Sequence, residues 1–154
     1  MWRFPVSAVL ACALSAAAQA ESFSFESRND VVNRIVAPVA GSKTIVAQFS
    51  NGEISASYPA RRVLSKSQCA TWPAPPGGMF TTNGACVATD ADGSQFTVVV
   101  ACRVVEGNAN VNDCFGQLTG LGGVYQNRTG TVSWRSTASA DAKSSSAAGN
   151  GMWN

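Results

Sequence analysis

Beyond residue 20, apolar and polar residues alternate in short runs: Phe23-Ser24-Phe25, Ile45-Val46-Ala47-Gln48-Phe49, Ile54-Ser55-Ala56-Ser57-Tyr58 and Thr131-Val132-Ser133-Trp134. Successive side chains of a strand point to opposite faces, so each run predicts a strand with one dry and one wet face. Apolar recurrence at three and four residues, the mark of an amphipathic helix, is scarce outside the first twenty residues. Thr97-Val98-Val99-Val100-Ala101-Cys102 is almost continuously apolar and predicts a strand covered on both faces or one that closes a barrel.

Turn chemistry divides these strands. Asn51-Gly52 lies between a strand ending at Ser50 and one beginning at Glu53, and Asp92-Gly93 lies between Cys86–Thr89 and Gln95–Val105. Both dipeptides tolerate the positive φ of a type I′ turn and predict antiparallel hairpins. Trp72-Pro73-Ala74-Pro75-Pro76-Gly77-Gly78 predicts a long loop, because its prolines remove donors and fix φ. Such a loop is a lid or a tethered crossing, and Cys69 just before it favours tethering. The Asn-rich stretch from Glu106 to Asp113, centred near Asn108, predicts a second loop. After Trp134 the small polar stretch from Ser136 to Ala148 carries no core-forming residue and predicts a flexible excursion. Gly151-Met152-Trp153-Asn154 is then either a short last strand or a frayed tail.

Composition sharpens the fold class. After residue 20 the chain holds fifteen valines and three leucines (Leu64, Leu118, Leu121), a balance suited to pleated surfaces. About seven or eight strands fit, with too little chain for covering helices, so the sheet must close on itself or pack in two layers. Closure also removes exposed edges, a hazard for a valine-rich sheet. The expectation is an all-β protein: an antiparallel, closed or nearly closed barrel over 21–136, a flexible Ser/Ala-rich segment over 137–150 and a short strand over 151–154.

The first twenty residues read as a secretory signal: a charge at Arg3, an apolar Val6–Ala18 segment and Ala18-Gln19-Ala20 before a cut after Ala20. An uncleaved anchor is the alternative; Cys12 lies inside the apolar segment, unlike the cysteine of a lipoprotein. No later run of about 20 apolar residues predicts stable membrane insertion. Export to the periplasm or beyond makes Cys69, Cys86, Cys102 and Cys114 two disulfides, since the destination is oxidising. Their spacings are too wide for the tight pairs of a four-thiolate zinc site. Cys102 and Cys114 are equidistant from Asn108, which favours Cys102–Cys114 and therefore Cys69–Cys86; the other two pairings stay open.

Charge removes several functions. Charged residues make up 13% of the chain, about half the usual share, with a net charge of +2. Neither a nucleic-acid footprint nor a polybasic membrane patch is present, and Arg61-Arg62 with Lys66 reads as a solvated edge. The chain has no histidine, which excludes Ser/His/Asp and Cys/His nucleophilic sites. Asp90-Ala91-Asp92-Gly93 echoes the start of an EF-hand loop but lacks the later ligands, so turn chemistry is the reading there. Asn127-Arg128-Thr129 is a formal glycosylation acceptor, but a polar turn is the favoured reading. No metal or cofactor is expected, and nothing in the pattern sets an oligomeric state.

The most patterned stretch is Gly122-Gly123-Val124-Tyr125-Gln126-Asn127-Arg128-Thr129-Gly130-Thr131-Val132-Ser133-Trp134, preceded by Cys114-Phe115-Gly116 and by the strand and turn from Cys86 to Gly93. Over Gly84 to Trp134 it resembles the secreted β-barrel proteins related to allene oxide cyclase. That resemblance implies a lipocalin-like antiparallel barrel in which a glycine-rich run joins two late strands. The plant enzymes of that relationship mould a flexible fatty-acid epoxide in an apolar barrel with a carboxylate and bound water; no such carboxylate aligns here.

Phe49, Tyr58, Phe96, Tyr125 and Trp134 are the candidate cavity residues, and Glu53, Glu106 and Arg135 the candidate polar or catalytic groups at a barrel mouth. Aromatic filling of a small barrel is the competing explanation for the first set. Three functions follow: binding or sequestering a small apolar molecule, cyclase or isomerase chemistry in an apolar cavity through one buried carboxylate, and a secreted inhibitor or surface-interaction module with a filled barrel and an apolar patch at Trp72–Met79.

Overall fold

A chain this rich in β-branched residues and this poor in leucine pairs its strands in sequence order. The computed structural model describes residues 20–39 and 42–154. Eight strands run up and down: β1 Glu21–Val39, β2 Ser42–Ser57, β3 Arg62–Pro73, β4 Thr82–Asp90, β5 Gln95–Val105, β6 Asn108–Gly122, β7 Thr129–Ala138 and β8 Ser144–Trp153. Each pairs antiparallel with the next, and β8 returns to β1, from Glu21 opposite Trp153 to Asp30 opposite Ser144. The sheet is therefore the closed barrel that the strand pattern predicts. The signal expected over 1–20 lies outside the described residues except for Ala20.

Alternation sorts the side chains. Along β1, Phe23, Phe25, Ser27 and Asn29 line the interior, while Ser24, Glu26 and Arg28 face out. One end is sealed by aromatics. Tyr125 and Trp153 stack at 4.9 Å between centroids, and Phe96 meets each edge-on, at 5.0 and 5.5 Å. Trp153, 1% exposed, donates its indole N–H to the Tyr58 hydroxyl at 3.2 Å. Below this floor Glu21 bridges Arg61 (2.8 Å) and Arg128 (3.1 Å), whose guanidinium groups lie over Tyr58 and Trp153 respectively. A planar cation over an aromatic face is attractive and keeps its outer side in water.

Several local expectations change. Asn51-Gly52 is not a turn: it lies within β2, with Asn51 opposite Asp30 and Gln68, and Gly52 opposite Asn29 and Ser67. The β1–β2 connection falls instead after Val39, so the two strands run on past the barrel as a ribbon from Val31 opposite Ser50 to Val39 opposite Ser42. The hairpin at Asp92-Gly93 forms as expected but not through a type I′ turn: Gly93 alone has a positive φ, and the turn over Asp90–Gly93 is closed by Gly93 N–H to Asp90 oxygen (3.0 Å) and by Asp90 N–H to Ser94 oxygen (2.9 Å). The 106–113 loop shrinks to a turn at Glu106-Gly107, because Asn108–Asp113 belongs to β6; a register shift between Val104 and Val105 absorbs the extra residues. The segment 137–150 is not an excursion. It completes β7, turns at Ser139–Lys143 and supplies most of β8, so the barrel extends to Trp153. Small residues suit that strand, since Gly149 and Gly151 lie against Trp134 and Phe23.

Both cystine links form in the favoured pairing. Cys69 faces Cys86 across β3–β4 and Cys102 faces Cys114 across β5–β6, with Cα separations of 4.0 and 4.1 Å. Two disulfides fit an oxidising compartment.

Candidate functional site

Above the aromatic floor the barrel is hollow. The interior cavity measures about 470 Å³, within the range of small-molecule sites. Its mouth is at the end where β3 and β4 are joined by the loop Ala74–Thr81, with Trp72, Pro73, Thr81 and Thr82 on the rim. The loop is tethered as expected: Ala74 N–H donates to the Thr81 oxygen, and Thr81 N–H to the Cys102 oxygen, both at 2.9 Å.

The walls differ. From β5 to β8 the lining is chiefly apolar, with Val98, Val100, Val132, Trp134 and Ala147, and carries Asn112, Ser136 and Ser145 as polar residues. β1 to β3 supply most of the polar residues, Ser27, Asn29, Ser50, Ser65, Ser67 and Thr71, none of them charged, among the apolar Phe23, Phe25, Ile54 and Ala56. Both disulfides border the cavity. Among the described residues no Asp, Glu, Lys or Arg lines it.

Gly52 shapes the polar wall. A side chain on Gly52 would overlap the Asn29 carboxamide, so the bare glycine leaves a notch in which that amide lies across β2. It reaches the next strand, where Ser67 Oγ, 3% exposed, approaches Asn29 Oδ1 at 3.5 Å.

Among the described residues one carboxylate is buried. Asp90, 7% exposed, accepts the Ser65 hydroxyl at 2.6 Å and the Tyr125 hydroxyl at 2.7 Å. Burial, aided by these neighbours, pushes the Tyr125 phenol well above its ordinary value of 10.0. Asp90 is thus turned onto the floor and is not part of the cavity lining. Asp92 caps the turn, accepting the Ser94 N–H at 2.9 Å, and that bond holds its carboxyl below the usual range. The glycine-rich run serves the same floor: a side chain at Gly120 would collide with the Tyr125 carbonyl, so glycine lets Tyr125 fold back under the barrel.

Of the candidate residues, Tyr58, Phe96, Tyr125 and Trp134 line the interior, the first three in the floor. Phe49 does not line it; it is 37% exposed. Glu53 faces out beside Arg28 and Lys66, its register partners on β1 and β3. Glu106 is exposed in the β5–β6 turn. Arg135 is on the outer surface, donating to Asp113 at 2.9 Å beside Arg103, and it holds the Asp113 carboxyl below its usual value. None of these three reaches the cavity. The polar residues that do, Asn29 and Ser67 above all, were hidden in the sequence among many similar residues. Their signal was the inward phase of each strand, legible only once the register is known.

No protein-family model, curated protein or solved structure matches this chain.

Proposed function

We propose that the protein is an exported binder of small, uncharged, largely apolar molecules, which it holds inside the barrel. The observation that carries this reading is a cavity of about 470 Å³ enclosed by paired strands, sealed below and lined by no charged side chain. A barrel serving only as a scaffold has no need of that space, because small barrels fill their interiors with side chains. The hollow interior favours binding over a module acting through its outer surface. Cyclase or isomerase chemistry would need an acid facing the cavity, and the buried Asp90 is committed to Ser65 and Tyr125.

Secretion or periplasmic residence is part of the proposal, supported by the leader pattern of the first twenty residues and by the two disulfides. Kinship with the barrel proteins related to allene oxide cyclase is also proposed, resting on the glycine-rich run up to Trp134.

Trp72, Trp134 and Trp153 all border the cavity, so intrinsic fluorescence reports on its contents. Titration with a panel of neutral hydrophobic compounds should give saturable changes for some of them. Silence across the panel would overturn the proposal.

A further inference from the structure

The two walls of the cavity ask for different things. A hydrocarbon against Val98, Val100, Val132 and Trp134 gains apolar burial without rearrangement. The facing wall presents hydroxyls and a carboxamide, and covering those groups with hydrocarbon costs free energy unless they are hydrogen-bonded. Asn29 and Ser67 are only loosely paired: their 3.5 Å separation exceeds the usual hydroxyl bond of about 2.5–3.0 Å. Ser65, by contrast, is held at 2.6 Å by Asp90. The Asn29 amide and the Ser67 hydroxyl together offer donors and acceptors to one ligand oxygen, with Ser27 and Ser50 as further hydroxyls on the same wall.

Charge narrows the class. A carboxylate in this cavity would meet no Arg or Lys, and an ammonium no Asp or Glu. An unpaired buried charge is strongly disfavoured, whereas a hydroxyl or carbonyl is not.

Building on the lumen-binding reading, we propose that the ligand is an uncharged amphiphile: a hydrocarbon bearing one hydroxyl or carbonyl oxygen, held between Asn29 and Ser67. Its apolar body lies on the β5–β8 wall. Gly52 is what makes this subsite, because any larger residue there would fill the space the Asn29 amide uses.

The test uses three probes of equal chain length, 1-octanol, n-octane and octanoate, titrated by tryptophan fluorescence into the wild-type protein, Asn29→Leu and Ser67→Ala. In the wild type octanoate should bind most weakly. Each substitution should weaken octanol by about three- to tenfold, the worth of one neutral hydrogen bond. Octane, having no oxygen, should bind the variants at least as well as the wild type. Parallel changes for octanol and octane, or tightest binding of octanoate, would overturn the subsite while leaving the lumen reading intact. Failure of all three probes to bind the wild type would overturn both. If Asn29→Leu does not fold, the loss of a single hydroxyl in Ser67→Ala decides the matter.

Discussion

Gly52 and Asn29 face each other across β1–β2, and the side chain that Gly52 lacks would occupy the volume of the Asn29 carboxamide. The pair therefore behaves as one unit. Gly52→Ala should destabilise the protein by roughly 1–3 kcal/mol, the usual cost of overpacking. Asn29→Ala should relieve part of that loss when added to it, leaving the contact with the Arg28 carbonyl oxygen, a non-additivity expected of residues in contact. Urea unfolding of both single variants and the double variant checks this; additive losses would contradict it.

Tyr125 closes the floor through Asp90. Tyr125→Phe leaves a buried carboxylate oxygen without its phenolic donor and should cost about 1–3 kcal/mol. The pH dependence has a definite sign. With the folded phenol raised above 10.0, its contribution is complete below about pH 10 and is lost as pH rises further, because the unfolded chain gives up the proton first. Urea midpoints should therefore fall more steeply between pH 9 and 11 in the wild type than in Tyr125→Phe.

The two disulfides close short loops, with sequence separations of 17 and 12. In the chain-entropy picture a loop of about 15 residues is worth about 3 kcal/mol. Replacing either pair by alanines should lower stability by that order. Thermal unfolding of each double variant measures it, and a shift near zero would show that strand pairing alone holds the barrel.

Glu53, Glu106 and Arg135 lie outside the cavity, so Glu53→Gln, Glu106→Gln and Arg135→Ala should leave probe affinity within about twofold of the wild type. Arg135→Ala should also raise the Asp113 pKa towards 3.8, since the Arg135 hydrogen bond is the main cause of its depression. Carboxyl NMR titration reads the shift, and an unmoved Asp113 would contradict that cause.

Much of this was legible in the residues. The valine excess and period-two runs pointed to an antiparallel sheet that closes on itself or packs in two layers, and the spacing of Cys102 and Cys114 around a hairpin favoured the disulfide pairing that forms. Misreadings arose where a local signal served a distant partner. Asn51-Gly52 has turn chemistry, but its glycine answers to Asn29, twenty-three positions away in sequence (52 less 29). The small residues of 144–151 look like a linker because their bulk is supplied by Phe23 and Trp134 on neighbouring strands. Phe49 shares the strand pattern of the other aromatics but not their inward phase, since the inward positions of this part of β2 are Gln48, Ser50, Ile54 and Ala56. The polar wall was hidden because serine and asparagine are common on wet faces, and only register shows which of them face in.

The hollow interior is tested most directly by filling it. Ala147, on the inner wall and 9% exposed, lies between Ser27 of β1 and Ser136 of β7, and a phenylalanine there projects into the lumen. With circular dichroism confirming the fold, octanol should quench the wild type saturably and leave Ala147→Phe almost unchanged. Equal quenching of both proteins would place the bound molecule outside the barrel and contradict a ligand-holding lumen.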